Sequence, residues 1–272
     1  MPRILVTGAD GFLGKEVIGI LKKNNFDFVG VSRKNTGENY VFCDLSIPND
    51  VLRLLEKTRP DVIINLAASV DFKERERKIF FPVNVLLPAI LGNYCKQKQL
   101  FFVHSSGIIV HGFLHKLYNI NTELSPDTGY GESKLLADDV IEASGCEASI
   151  LRLGGVYGKN GPFHLGINKA IDDAKKRKLP TVVGTGDIKR NYVYVRDVAQ
   201  AIVKCFEERI TGIHYFGGEV KTIKGMLTDI CEVFIPGRQP EHIEGEEAVD
   251  QIIENSDYFN ITPFRTALEQ MK

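Results

Sequence analysis

The chain has few of the residues that build metal sites, disulfide frameworks or membrane spans. Histidine is sparse, with six in the chain and no HExxH motif, so we predict no metal. The five cysteines are scattered, odd in number and without a CxxC pair, which is typical of reduced thiols in the cytoplasm. No apolar run approaches the ~20 residues of a membrane span. A strand begins so close to Met1 that we expect no signal peptide.

The chain also has no excess of positive or negative charge. The formal net charge is −1 and the pI is about 6.6, so no global positive field attracts nucleic acid or anionic lipid. Two charge runs, DFKERERK at 71–78 and KKRK at 175–178, are interpreted as a solvated loop or helix face and a solvated helix end. We therefore expect neither nucleic acid nor a membrane as a partner.

The composition is that of a globular protein. Its 272 residues are 43% hydrophobic and 25% charged, which suits one large or two closely joined domains. Short apolar strands alternate with amphipathic helices, a pattern that predicts an α/β fold with a doubly wound parallel sheet of the Rossmann type. Strands are predicted at 3–6, 28–31, 41–42, 61–66, 100–104, 148–153, 191–195 and 212–216, and helices at 15–24, 48–58, 82–97, 130–143 and 197–208.

The regular alternation stops after about Gly158, where glycine and proline become frequent. We predict a dinucleotide-binding domain over 1–158, joined by the strand and helix of about 191–216. Residues 159–190 and 217–272 are expected to form a small C-terminal substrate-binding lobe over the edge of the sheet where open α/β folds bind ligands.

A glycine-rich turn, TGADGFLG at 7–14, follows the first strand and opens the first helix. Gly8, Gly11 and Gly14 would let a phosphate approach backbone N–H groups that a Cβ would block, and the helix N-terminus would supply donors. The spacing is GxxGxxG rather than GxGxxG, and three glycines alone also fit a plain tight turn. Their place between strand and helix predicts a nicotinamide dinucleotide there.

The end of the second strand bears on which dinucleotide binds. It has no acid for the 2′-hydroxyl of the adenosine ribose, and instead carries Ser32 and Arg33, which suit a 2′-phosphate. We therefore predict NADP(H), with NAD(H) as the alternative if Arg33 is only a solvated charge. Asp44 after the third strand is expected to accept a hydrogen bond from the adenine amino group, with Leu45 packing beside it.

Tyr130 and Lys134, in the segment YGESK, are four residues apart on a predicted helix and so share a face. A tyrosine is a poor base at neutral pH, but a nearby lysine and a positive nicotinamide would lower the pKa of its phenol. Tyr130 could then exchange a proton with a substrate hydroxyl or ketone during hydride transfer. Lys134 could also hold the nicotinamide ribose.

With these motifs in order, the whole chain resembles the extended short-chain dehydrogenase/reductases, a family of nucleotide-sugar epimerases, dehydratases and reductases. The resemblance is carried by TGADGFLG at 7–14, Asp44, NLAA at 65–68, Asn84, SSGIIVHG at 105–112, YGESK at 130–134, RLGGVYG at 152–158, GTGDIKRNYVYVRDVAQAI at 184–202 and TPFRTALE at 262–269.

The resemblance also implies roles for single residues. Phe12, Leu13, Ala67 and Ala68 would join the glycines in lining the cofactor path. Asn84 would organise the region under the active site, and Arg190 would grip the diphosphate of a nucleotide sugar, for which a guanidinium fork is suited.

Two positions depart from the family pattern. The active-site serine or threonine expected four residues before His111 falls on Gly107, so either Ser106 is brought into place by a bulge or this hydrogen bond to substrate is missing. An asparagine expected to contact the substrate phosphates falls on Gly155. Ser106 and Gly107 are nevertheless predicted at the substrate, with Ser106 as the third catalytic residue.

The resemblance leaves several functions open. We expect hydride transfer at a ring hydroxyl or 4-keto group of a nucleotide sugar, with a slight preference for a 4-ketoreductase over a 4-epimerase. A 4,6-dehydratase is disfavoured because Ile108 and Ile109 stand where its acid pair would be. The alternative is a catalytically weak dinucleotide-binding regulatory or scaffold protein. The sugar, the base and the oligomeric state stay open, although the family implies a homodimer through the helices of Asn84 and Tyr130.

Overall fold

The computed structural model describes residues 2–34, 37–71, 76–246 and 248–272. Its strands are β1 (Arg3–Thr7), β2 (Asp27–Val31), β3 (Tyr40–Val41), β4 (Val62–Asn65), β5 (Phe101–Gly107), β6 (Leu117–Tyr118), β7 (Glu147–Leu153), β8 (Val156–Tyr157), β9 (Thr181–Val183), β10 (Lys189–Arg190), β11 (Val193–Tyr194), β12 (Gly212–Phe216), β13 (Lys221–Thr222), β14 (Glu241–Ile243) and β15 (Ile252–Ile253).

The helices alternate with these strands. They are α1 (Phe12–Lys23), α2 (Pro48–Thr58), α3 (Arg77–Phe80), α4 (Leu87–Lys98), α5 (Gly129–Ser144), α6 (Gly166–Lys175), α7 (Val195–Glu207), α8 (Ile223–Phe234) and α9 (Phe264–Glu269), with a π-helical turn at Phe81–Leu86 and a 3-10 turn at Ile108–His111. The KKRK run begins at the last residue of α6, as expected for a helix end. Half of the DFKERERK run, residues 72–75, lies outside the described residues.

The main sheet has seven strands in the order β12-β7-β5-β4-β1-β2-β3. Strands β3, β2, β1, β4 and β5 run parallel to one another, so their carboxyl ends meet at one edge. Helices return the chain between them, and the predicted doubly wound parallel sheet of the Rossmann type is confirmed.

The core of this sheet is formed by the apolar stripes that the helical periodicity predicts. Val17 and Leu21 of α1 are fully buried, as are Val51 and Leu55 of α2. One cluster joins α2 and α4 to the sheet through Leu55, Leu91 and Phe102. Because strands β1, β4 and β5 are buried over most of their length, each contains a continuous apolar run rather than an alternating pattern.

The predicted helix over 82–97 is not one regular helix. The amide of Leu87 donates to the carbonyl of Pro82, five residues back, which widens the helix into the π-helical turn. Pro88 supplies the physical reason, because it has no N–H for the carbonyl of Asn84 and its ring would crowd that carbonyl. Helix α4 then runs regularly from Leu87.

The same stretch corrects the expectation about apolar runs. Lys78–Lys98 is long and apolar enough, by length and composition, to cross a membrane, and 44% of its most apolar window is buried. This is weak evidence for a span, because core helices of other proteins pass the same test. In α4, Leu87, Leu91 and Cys95 are fully buried.

The chain divides into two compact units. The first contains Met1–Phe113, Glu123–Arg152 and Ala199–His214, and the second contains Leu114–Thr122, Leu153–Val198 and Tyr215–Lys272. Every site residue described below except Gly155 and Arg190 belongs to the first unit.

The second unit holds four small two-stranded sheets. The strand predicted over 191–195 is correspondingly short, because β11 pairs in parallel with β8 and α7 begins at Val195. Asp197 of α7 fixes the approach to α9 by accepting hydrogen bonds from the Thr262 amide, at 2.8 Å, and hydroxyl, at 2.6 Å. The aromatic rings of Tyr157 and Phe264 pack with centroids 5.0 Å apart.

Candidate active site

The glycine-rich turn lies at the carboxyl edge of the sheet between β1 and α1. Gly8 has a φ of +67°, and a Cβ there would stand 2.8 Å from the amide nitrogen of Ala67. A Cβ on Gly14 would collide with the carbonyl of Gly8. Gly11 occupies the N-cap position of α1 and has no side chain to cap the helix, so the first-turn N–H groups remain as donors. This donor set fits the pyrophosphate of a dinucleotide.

A row of polar side chains crosses three strands behind this turn. Thr7, Asn65 and His104 are in register on β1, β4 and β5. The Thr7 hydroxyl donates to Asn65 Oδ1 at 2.5 Å and accepts hydrogen bonds from the amides of Leu66 and Ala67. The row therefore fixes the turn to the segment that carries Ala67 and Ala68, both half-buried.

His104 ends this row as a buried, neutral imidazole. Asn65 Nδ2 lies 3.0 Å from His104 Nδ1. Because an amide NH₂ can only donate, Nδ1 accepts and the proton sits on Nε2. Burial, and secondarily the Lys134 ammonium, holds the pKa of His104 well below its usual value. The imidazole is thus a fixed dipole rather than a cation next to Lys134.

The end of β2 brings Ser32 and an unexpected acid together. Ser32 is buried, Arg33 is exposed, and the Ser32 hydroxyl donates a short hydrogen bond to Asp10 Oδ2. The Ser32 oxygen also accepts from the amide of Lys34 at 2.9 Å. The turn itself thus supplies a carboxylate at the place where β2 has none.

Asp44 lies exposed after β3, with Leu45 half-buried beside it. Its Oδ1 accepts hydrogen bonds from the amide of Ser46, at 3.0 Å, and from the Ser46 hydroxyl, at 2.6 Å. These bonds, with a smaller effect of the Arg33 guanidinium, hold the pKa of Asp44 below its usual value. The carboxylate is therefore an oriented acceptor at this end of the site.

Helix α5 begins with a capped first turn that presents Tyr130. Thr128 is the N-cap residue, and its hydroxyl accepts from the amide of Gly131 at 3.0 Å. Burial raises the pKa of Tyr130 to about 12, so the phenol keeps its proton at neutral pH. Burial thus opposes the lowering of the Tyr130 pKa that is predicted from Lys134 and a bound nicotinamide.

Lys134 lies one turn further along α5 and is only 3% exposed. Its Nζ donates to the carbonyl of Ser105 at 2.6 Å. Burial lowers the pKa of Lys134 to about 8, and the Asp138 carboxylate opposes that shift. Lys134 is therefore a positioned ammonium whose charge is lost just above neutral pH.

A buried ion pair lies beneath this lysine. Arg152 Nε of β7 lies 3.0 Å from Asp138 Oδ2, with the two side chains 4% and 0% exposed. Burial raises the pKa of Asp138, and Arg152, Ser106 and Lys134 all act to lower it again. Asp138 is thus paired with Arg152 and feels the charge of Lys134 at longer range, and removing either member of the ion pair would leave a buried charge without its partner.

Asn84 connects the π-helical turn to both the β4 edge and α5. Its Oδ1 accepts from the amide of Ser69 at 2.7 Å, and its Nδ2 donates to the Ser69 carbonyl and to Ser133 Oγ, each at 2.9 Å. Ser133 in turn donates to the Tyr130 carbonyl at 2.7 Å. One buried amide therefore fixes the loop after β4 to the turn of α5 that holds Tyr130.

Ser106 and Gly107 occupy successive positions near the end of β5, so they point to opposite faces of the sheet. Ser106 is 6% exposed. Its hydroxyl lies close enough to Asp138 to lower the pKa of that carboxyl, yet has no partner at hydrogen-bond geometry within the described chain. Gly107 is half-buried, with extended backbone at φ −156° and ψ 156°.

The two predicted phosphate-contacting positions lie in the second unit. Arg190 donates from Nη1 to the carbonyls of Lys189, at 3.0 Å, and Val249, at 2.5 Å. Gly155 has a packing reason to be glycine, because a Cβ there would stand 2.7 Å from the Tyr192 ring and 2.9 Å from Leu165. The side chains of Tyr192 and Leu165 therefore occupy the space that a side chain at position 155 would need.

The residue pattern indicated some of these partners and missed others. Asp138 follows Lys134 at i+4, a spacing that places both on one helix face and could have predicted their interaction. Asp10 lies inside the glycine-rich turn, but its contact with Ser32 joins residues 22 apart in the chain. Helical or strand periodicity cannot predict a contact at that separation. His104 resembles an ordinary strand residue until β4 is paired beside it.

Known proteins share this sequence pattern and fold. The NAD dependent epimerase/dehydratase family matches residues 4–216. A putative UDP-glucose 4-epimerase of Methanocaldococcus jannaschii is 27% identical over 94% of this chain and 88% of its own. The GDP-6-deoxy-D-talose 4-dehydrogenase of Aggregatibacter actinomycetemcomitans is 27% identical over 99% and 96%. The Bordetella bronchiseptica enzyme WbmH, solved in complex with NAD+, has the same fold, with a TM-score of 0.83 and 20% identity over 99% and 96%.

Proposed function

Because this chain belongs to the NAD dependent epimerase/dehydratase family, we propose that it is an NAD(P)-dependent enzyme that transfers hydride at C4 of a nucleotide sugar. The observation that carries the proposal is the placement of Tyr130 and a buried Lys134 one turn apart on α5, with Lys134 Nζ bound to the Ser105 carbonyl. Relatives described as a 4-epimerase and a 4-dehydrogenase of nucleotide sugars support this substrate class and this carbon.

The proposed acid–base residue is Tyr130. The nicotinamide, when bound, supplies or accepts the hydride. In the reducing direction, the Tyr130 phenol donates its proton to the 4-keto oxygen, and the Lys134 ammonium stabilises the phenolate that remains. In the oxidising direction, the same phenolate takes the proton of the ring hydroxyl. Asn84, through Ser133, keeps the Tyr130 turn in place.

Within this proposal, a 4-ketoreductase is favoured slightly over a 4-epimerase. The Tyr130 phenol is protonated at neutral pH in either case, because burial raises its pKa to about 12. The exposed Arg33 at the end of β2 and the compact tail favour a reductase. The two activities differ in stoichiometry, because a reductase consumes one reduced dinucleotide per turnover and an epimerase consumes none.

The proposed cofactor is NADP(H), with NAD(H) as the alternative. The glycine-rich turn and α1 would hold the pyrophosphate, Asp44 and Leu45 the adenine, and Lys134 the nicotinamide ribose. The exposed Arg33 guanidinium supports NADP(H), because it can bind phosphate oxygens in a fork. The NAD+ found with WbmH supports the alternative.

The second candidate function is a dinucleotide-binding regulatory or scaffold protein with weak turnover. Gly107 favours it, because no hydroxyl stands at the position of the family's active-site serine or threonine. Ser106 remains the proposed substitute, although its side chain is buried on the α5 side of β5. Intact Tyr130 and Lys134 favour the enzyme.

The test is a turnover assay over a panel of 4-keto and 4-hydroxy sugar nucleotides, with NADPH and NADH. Tyr130→Phe should lose at least about a hundredfold in kcat while still binding the dinucleotide. Tyr94→Phe on α4 is the matched control, because it removes one phenol outside the site. Equal activity of Tyr130→Phe and the native chain would contradict the acid–base role.

We also propose a second copy of the chain as a partner, through the helices that hold Asn84 and Tyr130. Ile79, Phe81 and Leu136 on these elements are 44%, 49% and 43% exposed, which supports an apolar contact. Light scattering should give the dimer mass for the native chain and the monomer mass for Leu136→Glu. A native monomer at micromolar concentration would contradict the pairing.

A further inference from the structure

The Asp10 carboxylate reaches the end of β2 because the glycine-rich turn packs directly on that strand. A Cβ at Gly30 would stand 3.0 Å from the Cβ of Ala9, so only glycine lets the turn come this close. Asp10 is the residue after Ala9, and its Oδ2 accepts a hydrogen bond from the Ser32 hydroxyl. In open dinucleotide folds, the end of the second strand is where the adenosine ribose is recognised.

The hydrogen bonds of Ser32 decide what it can offer a ligand. A serine hydroxyl has one hydrogen and two acceptor lone pairs. The hydrogen points to Asp10, and the oxygen accepts from the Lys34 amide at 2.9 Å. The backbone is fixed as well, because the Ser32 amide donates to the Val41 carbonyl at 3.0 Å. Ser32 therefore has no hydrogen left for a 2′-phosphate oxygen.

We infer that Asp10 is the specificity-determining acid for the adenosine ribose. Its carboxylate accepts a hydrogen bond from a 2′-hydroxyl and repels a 2′-phosphate, while Arg33 acts in the opposite sense. The NADP(H)-to-NAD(H) preference is then set by this opposed pair, and Ser32 only orients Asp10. The inference rests on the proposed function, because it needs a dinucleotide on the glycine-rich turn.

The first test is a fluorescence titration of NADPH and NADH with the native chain and Asp10→Asn, which keeps the shape but not the charge. The ratio of the two Kd values should shift toward NADPH by about tenfold, as expected when one close like charge is removed. Arg33→Ala should shift it toward NADH. Glu56→Gln, an exposed acid on α2, is the control for net charge and should leave it unchanged.

A second test needs no variant and so survives if Asp10→Asn does not fold. Calorimetry on the native chain compares ADP-ribose with the analogue that lacks the 2′-hydroxyl of the adenosine ribose. ADP-ribose should bind about tenfold tighter. Equal Kd values, or an Asp10→Asn chain in which both dinucleotides weaken by the same factor, would show that Asp10 only holds the turn. A native chain that binds neither dinucleotide would overturn the proposed function itself.

Discussion

Lys134 Nζ donates a 2.6 Å hydrogen bond to the backbone carbonyl of Ser105, which attaches the middle of α5 to the end of β5. The bond holds the ammonium at the carboxyl edge of the sheet without using any side chain of β5. It also makes the position of the charge independent of whether residue 106 or 107 carries a hydroxyl.

The first prediction concerns pH. Because burial lowers the pKa of Lys134 to about 8, the charge that supports the Tyr130 phenolate is present below that pH and is lost above it. The kcat/KM for ketone reduction should therefore fall by up to about tenfold per pH unit above 8. Tyr130 does not interfere, since its pKa is raised to about 12.

A pH profile of Lys134→Arg is the check. A guanidinium stays charged over this range, so the fall should disappear even though the absolute rate is lower. If the native chain and Lys134→Arg both fall in parallel from about pH 8 to about pH 10, the titrating group is not Lys134.

The second prediction concerns Asn84. Asn84→Ala removes one buried and two part-buried hydrogen bonds and leaves groups of Ser69 and Ser133 without these partners. The free energy of unfolding in urea should fall by about 2–4 kcal/mol. Asn93→Ala, which loses one exposed bond to the Ala89 carbonyl, should change it by less than about 0.5 kcal/mol. Equal losses in the two variants would argue against an organising role for Asn84.

The third prediction concerns the buried ion pair. Asp138→Ala leaves the Arg152 guanidinium buried without its carboxylate, so the free energy of unfolding should fall by about 3–5 kcal/mol. Asp138→Leu combined with Arg152→Met should recover most of that loss, because the double variant buries neither the carboxylate nor the guanidinium. Glu147→Ala, which breaks an exposed pair with Arg209, should cost less than about 1 kcal/mol. A double variant as unstable as Asp138→Ala would show that the loss does not come from the unpaired Arg152 charge.

The fourth prediction concerns Gly107. Its backbone is extended, so a serine fits without strain, and Gly107→Ser places a hydroxyl at the family's position. The kcat should rise by about tenfold with unchanged Kd for the dinucleotide, whereas Gly107→Ala should bring no gain. If Ser106 already fills the role, Ser106→Ala will abolish turnover and Gly107→Ser will add nothing.

The amino-acid pattern predicted those parts of the fold that depend on neighbouring residues. The stripe of Val17 and Leu21, the glycine-rich turn and the Tyr130–Lys134 spacing all repeat at helical or turn distances, and each was found where expected. Strand ends were accurate to within a few residues, because buried parallel strands are uniformly apolar.

What could not be predicted depends on distant pairing or on a competition between effects. Val193–Tyr194 reads as a longer strand until β8 is seen to be its partner. The charge of Lys134 was expected to lower the pKa of Tyr130, but the balance between a charge and burial needs the packed structure. Pro88 was visible in the chain, yet its effect appears only where the Asn84 carbonyl loses its usual donor.

The π-helical turn of Phe81–Leu86 has a consequence for comparing this chain with its relatives. A turn closed by an i→i−5 bond holds one residue more than the α-helical turn it replaces, so it acts as a single-residue insertion within Lys78–Lys98. Against a chain that is α-helical in this stretch, an alignment without a gap rotates every residue of α4 by about 100°.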